Sequence, residues 1–243
     1  MAKSSYKVVI LSRGRSDTII THKIMPYADL VVPVSEVKLY KHTNCNIVPI
    51  PDELHGLGKV RNWVLDNYQE ECIIMADDDI HKVALVSGQR LRYSKDVDYI
   101  RQLLENTYVC AKDLGVSLFG FSQRPDVRIY MPNNPFSFNS WVGGVIGVIG
   151  RKYRFIENKL KVDIDFFLQN MLRDRIVYVD LRYSFIQERY KNKGGNSIYR
   201  TEEQIKKELE ILKKRWGKYF IYKVNKTNEQ IYVKIPRKQR LIL

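Results

Sequence analysis

The sequence predicts an α/β fold in which a mostly parallel sheet is flanked by helices. Short apolar runs of strand length alternate with stretches of helical spacing along most of the 243 residues, the pattern of successive βαβ units. The most apolar short run of the first half, Cys72-Ile73-Ile74-Met75-Ala76, ends in three aspartates, Asp77, Asp78 and Asp79. Open α/β sheets bind ligands at the carboxyl ends of their strands, so this run delivers its acids to a ligand position. A third observation agrees: the loop Ser12-Arg13-Gly14-Arg15 follows the first apolar run in the same way.

Residues 7–11 read as the first strand, 30–34 as the second and 47–50 as the third, with a short helix expected over 18–25. Residues 57–68 place Val60, Trp63, Val64 and Tyr68 at helical spacing and should cross back over the sheet. The 72–76 strand follows, then a longer helix over 96–114 with Gly115 as its C-terminal stop. Strands are expected at 116–121, 142–149 and 176–181, and a short apolar helix at 164–172. Residues 124–140 hold three prolines and two adjacent asparagines without a period, the mark of a long functional loop. Thr201 and Gln204 form a capping box that opens a helix to Trp216, burying Ile205, Leu209, Leu212 and Trp216. Residues 219–243 are basic and weakly strand-like. The organisation is therefore a catalytic-type α/β domain over 1–200, with 201–243 as a basic helix and extension packed on it.

Composition narrows the class. A hydrophobic content of 44% and a charged content of 28% are those of an ordinary globular protein. No apolar stretch approaches the roughly 20 residues of a membrane span, and residues 1–5 lack the apolar region of a signal peptide. Cys45, Cys72 and Cys110 are unevenly spaced, with no CxxC pair. That argues against a disulfide framework or zinc site and points to a reducing cytoplasm. The net charge is +14, and residues 187–243 carry 16 Lys and Arg against 6 Asp and Glu. A concentrated positive field captures polyanions, with DNA or RNA the natural partner and anionic membrane or glycan the competitors.

Several clusters can carry chemistry. Three mutually repelling carboxylates need a cation to stay ionised together, and all-oxygen ligation suits Mg²⁺ or Mn²⁺; the plainer reading is a solvated turn. Gly14 allows close backbone approach to a ligand, and Arg13 and Arg15 suit a diphosphate. The loop is neither a GxGxxG nor a Walker A motif, so dinucleotide binding and P-loop hydrolysis lose support. Gly56-Leu57-Gly58-Lys59-Val60-Arg61-Asn62 opens a helix that either receives an anion or is an ordinary cap. Asp163 and Asp165 are either acids favoured by a helix dipole or a general base. Lys193, Gly194, Gly195 and Asn196 have the make-up of a phosphate-closing loop. His22, His42, His55 and His81 share no ligand spacing and are assigned to solvent or core.

The order of these pieces resembles nucleotide-sugar glycosyltransferases of the GT-A fold, whose strand-terminal Asp-x-Asp holds a divalent metal against the donor diphosphate. Gly58-Lys59-Val60-Arg61-Asn62 is similar to the Arg-Asn helix of family 2-like enzymes. Ser12 to Arg15, Pro33-Val34-Ser35-Glu36 with Tyr40, Ile50-Pro51-Asp52, Gly56 to Trp63 and Asp77 to Ile80 together resemble the TET/JBP-associated glycosyltransferase group. That group is known largely from bacteriophages and is linked to glycosylation of hydroxymethylated pyrimidines in DNA. The resemblance covers about residues 7–200 and is strongest before residue 82. It implies a GT-A fold, a UDP-sugar donor, Mn²⁺ or Mg²⁺, and a DNA acceptor whose hydroxymethylated base is flipped out or single-stranded. Position by position it implies Asp77 and Asp79 for the metal and donor, with Asp78 adjacent. Ser12, Arg13 and Arg15 would border the nucleotide and Arg61 would brace it. Asp163 or Asp165 would be the base, and Lys193-Gly194-Gly195-Asn196 would close on the diphosphate. Tyr130, Phe136, Phe138 and Trp141 are expected as stacking or wedge surfaces, or as core. Rival readings are transfer to a polysaccharide or protein, and a catalytically silent nucleic-acid-binding protein on the same scaffold.

Overall fold

The computed structural model describes residues 6–88, 90–158, 160–188, 201–225 and 228–233. Strands β1 (Tyr6–Leu11), β2 (Asp29–Pro33) and β3 (Asn46–Ile50) lead into helix α1 (Leu57–Asn67) and strand β4 (Cys72–Asp77). A hairpin of β5 (Ile80–Ser87) and β6 (Arg90–Ser94) follows the aspartates, then helix α2 (Val97–Asp113) and β7 (Leu118–Phe121). Next come β8 (Phe136–Ser137), β9 (Val145–Ile149), helix α3 (Val162–Arg173), β10 (Tyr178–Asp180) and β11 (Tyr183–Gln187). Helix α4 (Glu202–Trp216) and a hairpin of β12 (Phe220–Asn225) and β13 (Asn228–Val233) complete the described chain.

The main sheet has eight strands in the order β3-β2-β1-β4-β9-β7-β10-β8. Its pairings are parallel from β3 through β4 and again between β7 and β10, while β9 and β8 run against their neighbours. The α/β class read from the sequence is the class observed.

Period-two alternation explains the two layers of core. On β1 and β4, Val8, Ile10, Cys72, Ile74 and Ala76 face one side, with Ile100, Leu104 and Ala111 of α2. Val9, Ile73 and Met75 face the other, against Val64 of α1, Phe166 and Phe167 of α3, and Leu209 and Leu212 of α4. Strands buried on both faces read as continuous apolar runs, which is why β4 was legible.

Three expectations are corrected. The helix expected over 18–25 is a single 3-10 turn, Thr21–Lys23. The 142–149 strand begins only at Val145 and runs antiparallel between β4 and β7. A second sheet, β11-β5-β6, was not anticipated at all. It stands directly after the aspartates and governs the site.

Candidate active site

The carboxyl end of β4 is built by hydrogen bonds that have no local sequence signature. The Asp77 N–H donates to the Gly144 carbonyl, and the Ile20 and Thr21 N–H groups donate to the Asp78 carbonyl. Thr21 Oγ1 donates to the Asp77 carbonyl (2.8 Å) and accepts from the Ile80 N–H (2.8 Å). The acid turn is thereby pinned from both sides.

The three aspartates part company. Asp78 is buried; it accepts from Ser12 Oγ at 2.7 Å and from Arg15 Nη1 at 2.7 Å. Burial raises its pKa and Arg15 opposes the rise. Its carboxylate braces the 12–15 loop, a different position from the nucleotide-facing one the sequence suggested. Ser12 spends its only proton on Asp78, so the 2.8 Å bond to Tyr40 is donated by the Tyr40 hydroxyl, which in turn accepts the Arg15 N–H. Asp77, the last residue of β4, and Asp79, in the turn that follows, remain partly exposed. Gln187 Nε2, from β11, donates to Asp77 Oδ2 at 2.6 Å and to Asp79 Oδ1 at 3.1 Å. Burial first, then the charges of Asp77 and Asp78, push the Asp79 carboxyl up to about 6.

Helix α1 supplies the cation. A Cβ on Gly58 would lie 1.8 Å from the Ile156 carbonyl oxygen, so only glycine lets α1 approach that segment. The Gly58 N–H donates to the Asn158 carbonyl, which removes it from any anion site at this helix N-terminus. Asn62 clamps Phe155 in both directions, donating to its carbonyl and accepting its N–H, each at 2.9 Å. Arg61, only 3% exposed, lies over the Phe155 ring with Nη2 3.8 Å from Asp77. Its Nε and Nη1 have no hydrogen-bond partner among the described residues. Burial lowers its pKa, and Asp77 and Asp163 are the acids that hold it charged.

The structure also separates Asp163 from Asp165. Asp165 is fully buried and accepts from Trp216 Nε1 (2.8 Å) and Gln169 Nε2 (2.7 Å), with Arg215 Nε at 3.1 Å. It ties α4 to α3. Asp163 is partly exposed at the start of α3, with Arg61 as its largest favourable charge; burial raises its pKa.

Arg13 is spent on the backbone. It donates to the Asp52 and Leu54 carbonyls and shares a 2.7 Å contact with His55 Nδ1. Asp52 itself accepts from the Ser35 N–H and hydroxyl. These motif residues act as one brace around the loop. Among the aromatics, Phe136 packs on Tyr178 under Arg182, and Trp141 packs against the core. Phe138 is exposed, as a surface aromatic would be, Tyr130 is half-buried, and the other exposed large apolar groups of this loop are Ile129 and Met131. Lys193, Gly194, Gly195 and Asn196 lie outside the described residues. Of the site residues, Gln187 and Thr21 went unnoticed in the sequence, because only the register of β11 on β5 and the 3-10 turn at Thr21–Lys23 bring them to the acids.

The family model of TET-associated glycosyltransferases matches residues 6–195. The chain belongs to the TET-associated glycosyltransferase family. No curated protein matches it by sequence. Among solved structures, this TET-associated glycosyltransferase superposes on glucosyl-3-phosphoglycerate synthase from Mycobacterium tuberculosis, solved with Mg²⁺ and UDP. The TM-score is 0.51 at 8% identity, over 96% of this chain and 88% of that one. A mycobacterial protein gives a TM-score of 0.50 at 11% identity, over 96% and 84%. S. aureus TarS 1–349 with UDP-GlcNAc gives 0.48 at 12% identity, and the TET-associated glycosyltransferase spans 79% of itself and 60% of that chain. The shared fold is of GT-A type. No helix among the described residues is long and apolar enough to cross a membrane.

Proposed function

We propose that the protein moves a sugar from a UDP-sugar to the hydroxymethyl group of a modified pyrimidine in DNA, with Mn²⁺ or Mg²⁺ held at Asp77 and Asp79. The observation that carries this reading is the pairing of Asp77 and Asp79 across one amide, beside the buried guanidinium of Arg61. The donor set is all oxygen and doubly anionic, which fits a hard dication that shares its remaining positions with phosphate and water. When bound, the ion supplies Lewis-acid charge against the leaving diphosphate.

The chain's own groups do the rest. The unpartnered N–H groups of Arg61 are available to an anion at the same spot, where a fixed charge in a dry site stabilises growing negative charge. Asp163 takes the proton of the acceptor hydroxymethyl. The freed oxygen bonds to the anomeric carbon as the bond from that carbon to the diphosphate breaks, an inverting displacement. Arg13 and Arg15 shape the nucleotide loop through their ties to Leu54 and Asp78.

Two features support DNA as the acceptor. Residues 187–243 hold 16 of the 41 Lys and Arg. The 122–144 loop leaves β7 and enters β9 at the acid end of the sheet, and presents Ile129 (70% exposed) and Met131 (63% exposed) beside exposed Arg124 and Arg128. Apolar side chains flanked by cations are suited to wedging a base step while the target base is flipped. The test is mass spectrometry of nucleosides from hydroxymethylated DNA incubated with protein, Mn²⁺ and a panel of UDP-sugars. A hexose or pentose mass on the modified nucleoside is expected. Transfer to a glycan or protein but not to DNA would reassign the acceptor, and no turnover with any donor would leave a nucleic-acid binder on this scaffold.

A further inference from the structure

Two carboxylates at the mouth of a sheet repel each other, and here one amide NH₂ group stands between them where a cation would stand. That amide is delivered deliberately. β11 pairs with β5 in regular register up to Ile186–Lys82, and then slips so that Gln187 pairs with Ile80, the residue after Asp79. Bulges of this kind re-aim a side chain and recur beside active sites. Among the described residues no group of three His, Cys, Asp or Glu could hold a metal ion. Two carboxylates leave positions on a hard dication that phosphate, water or a further protein oxygen can fill. A carboxamide has a donor end and a hard carbonyl-oxygen end, and half a turn about its last bond exchanges them. Independently, the buried Arg61 next to Asp77 keeps Nε and Nη1 without hydrogen-bond partners among the described residues, donors that a charged occupant of this pocket would satisfy.

We propose that Gln187 is the third protein ligand of the divalent ion. Without the ion, Nε2 bridges Asp77 and Asp79; with it, the amide turns over and presents Oε1. The apo site is thereby kept assembled by an uncharged group between the two carboxylates, with Arg61 as the neighbouring cation on Asp77. This inference rests on the metal-dependent reading above, and it assigns a ligand that the Asp-x-Asp pattern does not contain.

The experiment is titration of Mn²⁺ into the whole protein with UDP present, read by calorimetry and by water-proton relaxation of the bound ion. Gln187→Leu should weaken Mn²⁺ binding about tenfold and add one exchangeable water to the ion. Gln187→Glu should tighten binding, and its response shows that substitution at this site leaves the pocket folded. If Gln187→Leu binds Mn²⁺ as tightly as wild type or more tightly, with unchanged hydration, the amide is only a placeholder that competes with the cation and the proposal is overturned. If wild type binds no Mn²⁺ in the presence of UDP, the metal reading itself fails. The two failures are therefore distinguishable.

Discussion

Asp163 and Asp165 are two residues apart, yet Asp165 is fully buried and ties α4 to α3 while Asp163 is partly exposed beside Arg61, the acid we propose as the base. Asp163→Asn should abolish transfer while leaving the denaturation midpoint close to wild type. Asp165→Ala strands the Trp216 and Gln169 donors and should cost on the order of 3 kcal/mol, measured by urea unfolding. A base works only when deprotonated, and burial raises the Asp163 pKa while Arg61 opposes the rise. The acid limb of kcat should therefore lie above the range of an exposed aspartate, and Arg61→Gln should move it higher still. A pH–rate profile of the two proteins checks the sign. Gly58→Ala forces a methyl group into the Ile156 carbonyl and should destabilise by about 1–3 kcal/mol, with activity falling as α1 withdraws Arg61. The acids and Arg61 were legible because runs of like charge and a glycine-rich helix start stand out in one dimension. Gln187 and Thr21 were not, since an isolated Gln or Thr acquires its meaning only from the strand or turn placed opposite it.

Elements were legible in proportion to their burial. β1, β2 and β4 are covered on both faces, and their apolar runs announced them. β5 and β6 carry His81, Lys82, Arg90 and Arg92 among their apolar residues, so no clean period survived and the hairpin went unseen. The 18–25 segment carries apolar residues but stops before Pro26, too short to reward a helical nucleus, and closes as one 3-10 turn. Helix α4 was read correctly because its capping Thr201 and the Leu209–Leu212 side survive as a pattern. Leu212→Ala there should cost about 2–5 kcal/mol in an unfolding titration, since that side chain is fully buried against the α3 layer. The long loop gives the opposite prediction. Changing Ile129 and Met131 together to Ala should leave stability and UDP-sugar hydrolysis unchanged yet reduce transfer to duplex DNA more than to a single strand.

At the scale of the whole molecule, charge and topology set how substrates arrive. If residues 187–243 grip phosphates, DNA affinity should fall log-linearly with salt, by a slope of about 0.9 for each phosphate contact. Removing residues 234–243, which hold Lys234, Arg237, Lys238 and Arg240, should make that slope shallower without changing Mn²⁺ affinity. Fluorescence anisotropy of DNA over a salt series measures the slope, and calorimetric titration measures the Mn²⁺ affinity. The reversed strand β9 has a separate consequence. It neighbours β7 and runs against it, and the 122–144 segment that joins them is a long tip that carries β8 to the far edge of the sheet beside β10. Closing such a tip costs only about 0.6 kcal/mol for each doubling of its length. Strand β4 is joined to it by the Asp77–Gly144 main-chain bond, and Val142 packs in the core with Ile73 and Met75. A change in the length or sequence of this tip should therefore alter the choice of acceptor while leaving Mn²⁺ and UDP binding at the end of β4 unchanged, which would make β9 the seam at which acceptor specificity can shift without disturbing the donor.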